Sequence, residues 1–156
     1  YVTEVTEDND EKDGAIYYKL EYDKNGYLQH VEKRYSYNES RIRVSECTWR
    51  DGNLVEYTAK DYNEDDTEIE TAKISYSKTA TPINIDLLYF SGYVPVDIYP
   101  LDLLGFCGRQ SAKLPDKVDV VWGSESDSDD LGVYTLNNDG TVARIDGGAW
   151  SYELIY

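Results

Sequence analysis

The sequence lacks the features of several common protein classes. It has no apolar run that approaches the roughly 18 residues of a transmembrane helix, and no secretory leader is visible. The chain begins at Tyr1 without an initiator methionine, so we interpret it as a mature or trimmed polypeptide, and the missing leader does not argue against export. No glycine-rich stretch joins a strand to a helix, which excludes a phosphate-binding loop.

Cysteine and histidine are scarce. Cys47 and Cys107 are far apart in the sequence, which excludes a zinc knuckle and a redox Cys-x-x-Cys pair. The two could form a disulfide in an oxidising compartment or remain two buried thiols, and the sequence leaves both alternatives open. The one histidine, His30, lies within a predicted strand and has no nucleophile motif nearby. Cys47 beside His30 on a neighbouring strand is a weak candidate for catalysis, and we expect no catalytic residues.

Basic residues are also few relative to acidic ones. The chain has 15 Lys and Arg against 31 Asp and Glu, for a formal net charge of −16. Such a surface repels nucleic acid and anionic lipid, so we expect neither as a partner. We interpret the charge mainly as a source of solubility, with a specific cationic partner as the alternative. The most basic stretch, from Lys33 to Arg50, is interpreted as balancing neighbouring acids.

The many carboxylates suggest two kinds of site, neither of which stands out. A pair of carboxylates would allow glycoside hydrolysis, and this stays the alternative function, although no particular pair can be chosen from so many. Calcium prefers six to eight oxygen ligands, and two acidic segments could offer some of them. These segments contain Asp61, Asn63, Asp65 and Asp66, and Glu125, Asp127, Asp129 and Asp130. Both are better explained as solvated acidic loops, so we expect no metal ion and no cofactor.

Tyrosine is abundant, and it favours half-buried sheet surfaces; the chain has 16 Tyr against 2 Phe and 3 Trp. Turn signals recur every 13 or 14 residues through the first half, and stretches rich in Tyr, Val, Ile and Thr lie between them. We expect type I′ turns at the Asn-Gly and Asp-Gly pairs. These turns predict cross-strand partners: Leu20 with Val31, Ile16 with Tyr35, Trp49 with Leu54, and Tyr134 with Ile145.

The predicted fold is all-β, an antiparallel meander of about nine long strands that curls into an incomplete, soluble barrel. Residues 1–14 are predicted to be a flexible acidic lead-in, because they offer few apolar side chains to bury. Residues 15–156 are predicted to form a single domain. A proline-containing break follows Ser77, and the middle region after it is expected to plug or cap the open end of the sheet.

Tyrosine side chains on adjacent predicted strands form the one candidate binding surface. We predict an aromatic face that includes Tyr27, Tyr35, Tyr37 and Tyr57 and that could stack on sugars or contact a protein partner. The alternative is that these rings pack against one another across the strands and stabilise the sheet.

Several segments resemble a known family. They are the hairpins at Tyr22–Leu28 and Trp49–Leu54, the pair Leu104-Gly105 followed by Lys113-Leu114-Pro115, and the closing Tyr134–Tyr156. Together they resemble the uncharacterised secreted lipoprotein domains of gut Gram-negative bacteria, a domain of unknown function with a porin-like fold. The resemblance covers roughly residues 15–156.

The resemblance implies a meandering sheet, export to the periplasm or the outer-membrane surface, and lipid anchoring through an upstream segment. The family has no established activity, so it assigns no functional residues. We therefore expect a non-catalytic domain of the cell envelope that binds a glycan or another envelope protein. The alternatives are a carboxylate-based glycoside hydrolase and a purely structural module.

Overall fold

A computed structural model describes residues 1–9, 14–63, 66–80, 87–88, 92–96, 98, 101, 106–147 and 151–155. These residues form eleven β-strands in two antiparallel sheets. The larger sheet contains β1 (Glu4–Asn9), β2 (Gly14–Tyr22), β3 (Leu28–Tyr35), β4 (Asn38–Arg50), β5 (Asn53–Tyr62), β6 (Thr67–Ala80), β7 (Lys113–Trp122) and β8 (Glu125–Asp130). The smaller sheet contains β9 (Val133–Leu136), β10 (Val142–Asp146) and β11 (Ser151–Glu153).

The larger sheet is a meander in which each strand pairs with its neighbours in sequence. Its edges are β1 and β8, so the sheet does not close into a barrel. The all-β, antiparallel fold predicted from the sequence is confirmed. The smaller sheet has the order β11-β10-β9 and raises the strand number above the expected nine. Within the described part of the chain, no helix has the length and apolarity needed to cross a membrane.

All four predicted cross-strand pairs are present. Leu20 lies opposite Val31 and Ile16 opposite Tyr35. In the later hairpins Trp49 lies opposite Leu54, and Tyr134 lies opposite Ile145. The turn signals therefore placed the strands correctly, because a one-residue slip would have moved every apolar side chain to the wrong face.

The turn types differ from the prediction at two of these hairpins. At Asp51-Gly52 both residues have positive φ, as a type I′ turn requires. At Asn25-Gly26 and Asp139-Gly140 only the glycine does. In the first of these turns the Gly26 N–H donates a hydrogen bond to the carbonyl of Asp23. This is a type I turn followed by a glycine bulge, and the predicted register is kept farther along the strands.

Two acidic segments expected outside the sheet form its edge strands. Part of the predicted lead-in, Glu4–Asn9, is β1 and pairs with β2 over six residues, so the sheet begins before Ala15. Val5 packs against the core, which the acid-rich composition around it had obscured. The predicted acidic loop after Trp122 is β8, which pairs with β7 from Glu125 to Asp130. Backbone pairing with a neighbouring strand stabilises both edges despite their charge.

The main core lies on one face of the larger sheet, called here the inner face. Cross-strand partners such as Leu20, Val31 and Ala59 share this face because side chains alternate along each strand. The middle region adds buried Leu88, Val96, Ile98 and Cys107 to this core, as the expected cap would. A second cluster, Leu87, Leu114, Val142 and Ile145, joins the smaller sheet to the larger one.

Residues 106–112 close one end of the inner face. The N–H groups of Arg109 and Ala112 bond to the carbonyls of Gly26 and Gly52, the glycines of two hairpin turns. This end is apolar. The other end of the inner face, near the β3–β4, β5–β6 and β7–β8 connections, carries charged side chains and a pocket.

Candidate ligand-binding pocket on the inner face

The pocket, called here the inner pocket, lies between strands β2 to β6 and the segment 92–96. Its volume is about 340 Å³, within the range of small-molecule sites. Its lining combines apolar side chains from the core with five charged ones: Lys33, Arg41, Arg43, Asp61 and Glu70. Three of these are cations and two are acids. The pocket therefore has the opposite charge balance to the chain as a whole.

Strand register explains how these charges come together. Tyr18 is the partner of Lys33, Lys33 of Arg43, and Arg43 of Asp61, so one row of side chains crosses four strands. Cross-strand partners lie on the same face, and this is the face that carries the core. The inner face therefore carries apolar side chains in the core and charged side chains in this row, and the alternation of side chains along each strand is regular between them.

Arg41 and Asp61 form the most buried ion pair of the pocket. The Asp61 side chain is only 8% exposed, and its two oxygens accept hydrogen bonds from Arg41 Nε at 3.2 Å and Nη2 at 2.9 Å. The hydrogen bond to Asp61 raises the pKa of the Arg41 guanidinium. This two-point contact fixes the plane of the guanidinium beside the pocket.

Arg43, Glu70 and Tyr57 form a second network. Arg43 Nη2 lies 3.3 Å from one oxygen of Glu70, and the Tyr57 hydroxyl donates a 2.7 Å hydrogen bond to the other. Burial, together with that hydrogen bond, raises the pKa of Tyr57 well above its ordinary value of 10.0. Glu70 is thus held by two groups from different strands, which orients Arg43 across the pocket.

Two cationic side chains contact the ring of Tyr35. The Lys33 ammonium lies 5.4 Å and the Arg41 guanidinium 4.8 Å from the ring centroid. Lys33 also lies 5.2 Å from the Tyr18 ring, whose hydroxyl donates a hydrogen bond to Glu7 of β1. Such cation–π contacts hold the positive groups along the aromatic wall of the pocket. Burial raises the pKa of Tyr35.

Residues 92–96, called here the strap, cover the pocket from the side opposite the sheet. Val96 is buried in the core and anchors one end of the strap. At the other end the Tyr93 hydroxyl donates a 2.9 Å hydrogen bond to Asp127 on the edge strand β8. That bond raises the pKa of Tyr93. The strap therefore joins the middle of the inner face to its β8 edge.

A second cavity, called here the outer groove, lies next to the inner pocket. It measures about 400 Å³, and Arg43, Asp61, Glu70 and Tyr93 line both spaces. Its remaining walls are Glu68, Ile69 and Trp122. Trp122 is 37% exposed, and Ile69 is 48% exposed. An exposed aromatic side chain thus lies beside the charged pocket.

The structure separates the four tyrosines of the predicted aromatic face. Tyr35 and Tyr57 are buried and line the inner pocket, whereas Tyr37 is exposed and packs beside Tyr35 with ring centroids 5.4 Å apart. Tyr27 lies at the opposite end of the sheet, 4.6 Å from the Trp49 ring. These rings therefore do not form one exposed row, because alternation turns some inward. A role of Tyr35 and Tyr57 in binding stays a prediction.

His30 and Cys47 do not form a pair. His30 Nδ1 lies 2.8 Å from Glu46 Oε1, with Glu46 directly opposite on β4. Cys47 follows Glu46 and so points to the other face, where it is buried in the core. The strands are neighbours, as expected, but the two side chains lie on opposite sides of the sheet.

The acidic segments do not assemble a metal site in the part of the chain that the structure describes, where no group of three or more His, Cys, Asp or Glu could hold an ion. Asp61 is engaged by Arg41. Residues 125–130 form a strand, which directs successive side chains to opposite faces. Asp65 lies outside the described residues.

The basic stretch is visible in the sequence, but its role in the inner pocket was not predicted. The signal was the two-residue spacing of Arg41, Arg43, Ser45 and Cys47, which places both arginines on the face of buried positions. Their acidic partners Asp61 and Glu70 are 20 and 27 residues away in sequence. No local pattern selects these two acids among 31.

Two solved structures share this fold. A porin-like protein from Bacteroides vulgatus ATCC 8482 has a TM-score of 0.65 and 16% identity over 84% of this chain and 58% of its own. A porin-like protein from Bacteroides uniformis ATCC 8492 has a TM-score of 0.63 and 15% identity over 97% of this chain and 63% of its own. The chain thus spans about three fifths of the length of each. No protein-family model and no curated protein matches the sequence.

Proposed function

We propose that this chain is a non-catalytic binding domain of the Gram-negative cell envelope, and that the inner pocket holds a sugar bearing a carboxylate. The fold likeness to porin-like proteins from Bacteroides supports the envelope assignment. Export to the periplasm or the outer-membrane surface is part of the proposal.

The observation that carries the proposal is the charge balance of the inner pocket. Lys33, Arg41 and Arg43 outnumber Asp61 and Glu70 there, although the whole chain has a net charge of −16. Placing cations in a partly enclosed pocket is costly unless they serve a structure or a ligand. An anionic group of the ligand would be attracted to this positively charged lining.

The polar rim supports a sugar over a simple anion. The hydroxyls of Tyr18, Tyr57 and Tyr93 each donate a hydrogen bond to a carboxylate, and all three residues line the pocket, so its walls carry the oriented polar groups typical of small-molecule sites. Arginine pairs with carboxylates in a planar, two-point geometry, which favours a uronic acid. The volume of about 340 Å³ suits one such ring.

The ion pairs also support a binding role over hydrolysis. A glycosidase of the common type needs two carboxyl groups that face the bond to be cleaved. In the inner pocket Asp61 is held by Arg41, and Glu70 by Arg43 and Tyr57. Each carboxylate is therefore used to position an arginine.

The test is a glycan array that contains neutral, carboxylated and sulfated sugars, followed by calorimetric titration of the best hit. We expect carboxylated sugars to bind and neutral ones not to bind. Arg43→Gln and Lys33→Gln should each weaken binding at least tenfold. Arg34→Gln is the matched control, because Arg34 is 53% exposed on the other face of the sheet.

A requirement for Arg34 equal to that for Arg43 would show that binding follows overall charge and would contradict the proposal. So would a blank array. Turnover of a bound glycan, seen as new reducing ends, would contradict the non-catalytic assignment.

A further inference from the structure

We propose that the outer groove is a second sugar subsite, in which the Trp122 ring stacks on an uncharged sugar linked to the uronic acid in the inner pocket. The inference rests on the proposed function and goes further by giving the ligand a length and an order of units. Its basis is the adjacency of the two cavities and the chemistry of the walls of the outer groove.

The two cavities are adjacent. Arg43, Asp61, Glu70 and Tyr93 border both the inner pocket and the outer groove, so two linked sugar units could occupy neighbouring spaces. The two spaces measure about 340 and 400 Å³. Each is large enough for one ring, and together they accommodate a disaccharide.

Trp122 provides the platform. It lies at the end of β7 as the cross-strand partner of Glu70, which places it on the inner face beside the pocket. Its indole N–H donates a 3.2 Å hydrogen bond to Glu125, which fixes the orientation of the ring. An exposed and oriented aromatic face is suited to the apolar C–H face of a sugar.

The charge at the outer groove differs from that in the inner pocket. Glu68 lines the groove, and Glu125 holds the Trp122 ring. A second carboxylate placed here would meet these acids and be repelled, whereas the hydroxyls of a neutral sugar can donate to them. The groove therefore selects a neutral unit next to the charged one.

The experiment compares three probe types by calorimetry on the whole chain: glucuronic or galacturonic acid alone, each linked to a neutral hexose, and the corresponding diuronic disaccharides. We expect the neutral hexose to improve affinity about tenfold, equivalent to about 1.4 kcal/mol. The second uronic acid should improve it less. Trp122→Ala should remove the gain and change the affinity for the single uronic acid by less than about twofold.

Val121→Ala is the matched control, because Val121 is the adjacent residue of β7, is 50% exposed and points to the other face. It should keep the full gain. Trp122→Phe keeps an aromatic ring and should keep part of it, which guards against a misfolded Trp122→Ala. Binding of a single uronic acid with no gain from the hexose, or a gain that survives Trp122→Ala, overturns the second subsite alone. Failure of every uronic acid to bind overturns the proposed function and this inference together.

Discussion

Arg41 and Asp61 form a two-point ion pair at the base of the inner pocket, with N–O distances of 3.2 and 2.9 Å. The Asp61 side chain is 8% exposed and that of Arg41 is 38% exposed. Asp61→Asn keeps the shape of the side chain but removes its charge and one acceptor. We expect a loss of about 1–2 kcal/mol in the free energy of unfolding, less than for a fully buried pair, because solvent still reaches Arg41.

Asp119→Asn is the matched control for this prediction. Asp119 also pairs with a basic residue, Lys117, but its side chain is 48% exposed. Exposed pairs contribute little, so we expect a much smaller change than for Asp61→Asn. Urea unfolding measures both variants. Equal losses would mean that burial of Asp61 adds nothing to the pair.

Gly132 holds the smaller sheet close to the larger one. It connects β8 to β9 with φ of +84°, and a Cβ atom there would meet the Asp146 carbonyl and lie 2.6 Å from its carbon. Gly140 has nearly the same φ, +86°, but open space around it. Gly140→Ala should therefore cost about 1 kcal/mol from backbone strain alone, whereas Gly132→Ala should cost about 3 kcal/mol or more.

Chemical unfolding followed by far-ultraviolet circular dichroism separates these two costs. Similar losses for both alanine variants would show that the backbone at Asp146 moves away easily. In that case the close contact between β10 and the β8–β9 connection would not matter for stability.

Buried tyrosines predict a loss of stability at alkaline pH. Burial raises the pKa of Tyr57 and of Tyr134 above the ordinary 10.0. Above about pH 10 the unfolded chain releases these protons while the folded chain keeps them, so the free energy of unfolding falls as pH rises. Each such phenol contributes up to about 1.4 kcal/mol per pH unit.

Tyr57→Phe and Tyr134→Phe test this by urea unfolding at several pH values from 8 to about 11. Each variant should have a shallower slope above pH 10 than the wild type, and the double variant a shallower one still. At pH 8 Tyr57→Phe should lose about 1 kcal/mol, because Glu70 loses a hydrogen bond. Slopes unchanged in both variants would contradict the assignment of the alkaline loss to these phenols.

Local sequence signals predicted the hairpins well. Asn25-Gly26 and Asp51-Gly52 placed the strand reversals, and the apolar pairs around them agreed with the register. Asn38-Glu39 is one of the regularly spaced turn signals of the first half of the sequence, but it lies two residues past the actual turn, since β4 already begins at Asn38. The actual turn is Ser36-Tyr37, and Ser36 stabilises it by accepting a hydrogen bond from the N–H of Ala15 on the neighbouring strand.

The inner pocket could not be predicted because it depends on contacts between distant residues. Arg43 meets Glu70 only after three strands have paired in the correct register. Tyr93 meets Asp127 only because the strap crosses the inner face. The acid-rich strand β1 was missed for a related reason: its stability comes from pairing with β2 and from a single buried side chain, Val5, rather than from its own composition.

Cys47 and Cys107 give a prediction about chemical reactivity. Both are buried in the main core, 8% and 6% exposed, as thiols rather than as a disulfide. A thiol reagent reaches such side chains only when the structure opens. We expect almost no reaction with dithionitrobenzoate in the native protein and two thiols per chain after unfolding in denaturant. Zero thiols after unfolding without reductant would reveal a disulfide. Rapid labelling of either cysteine in the native protein would place that cysteine nearer the surface than the core packing around Tyr57 and Leu88 allows.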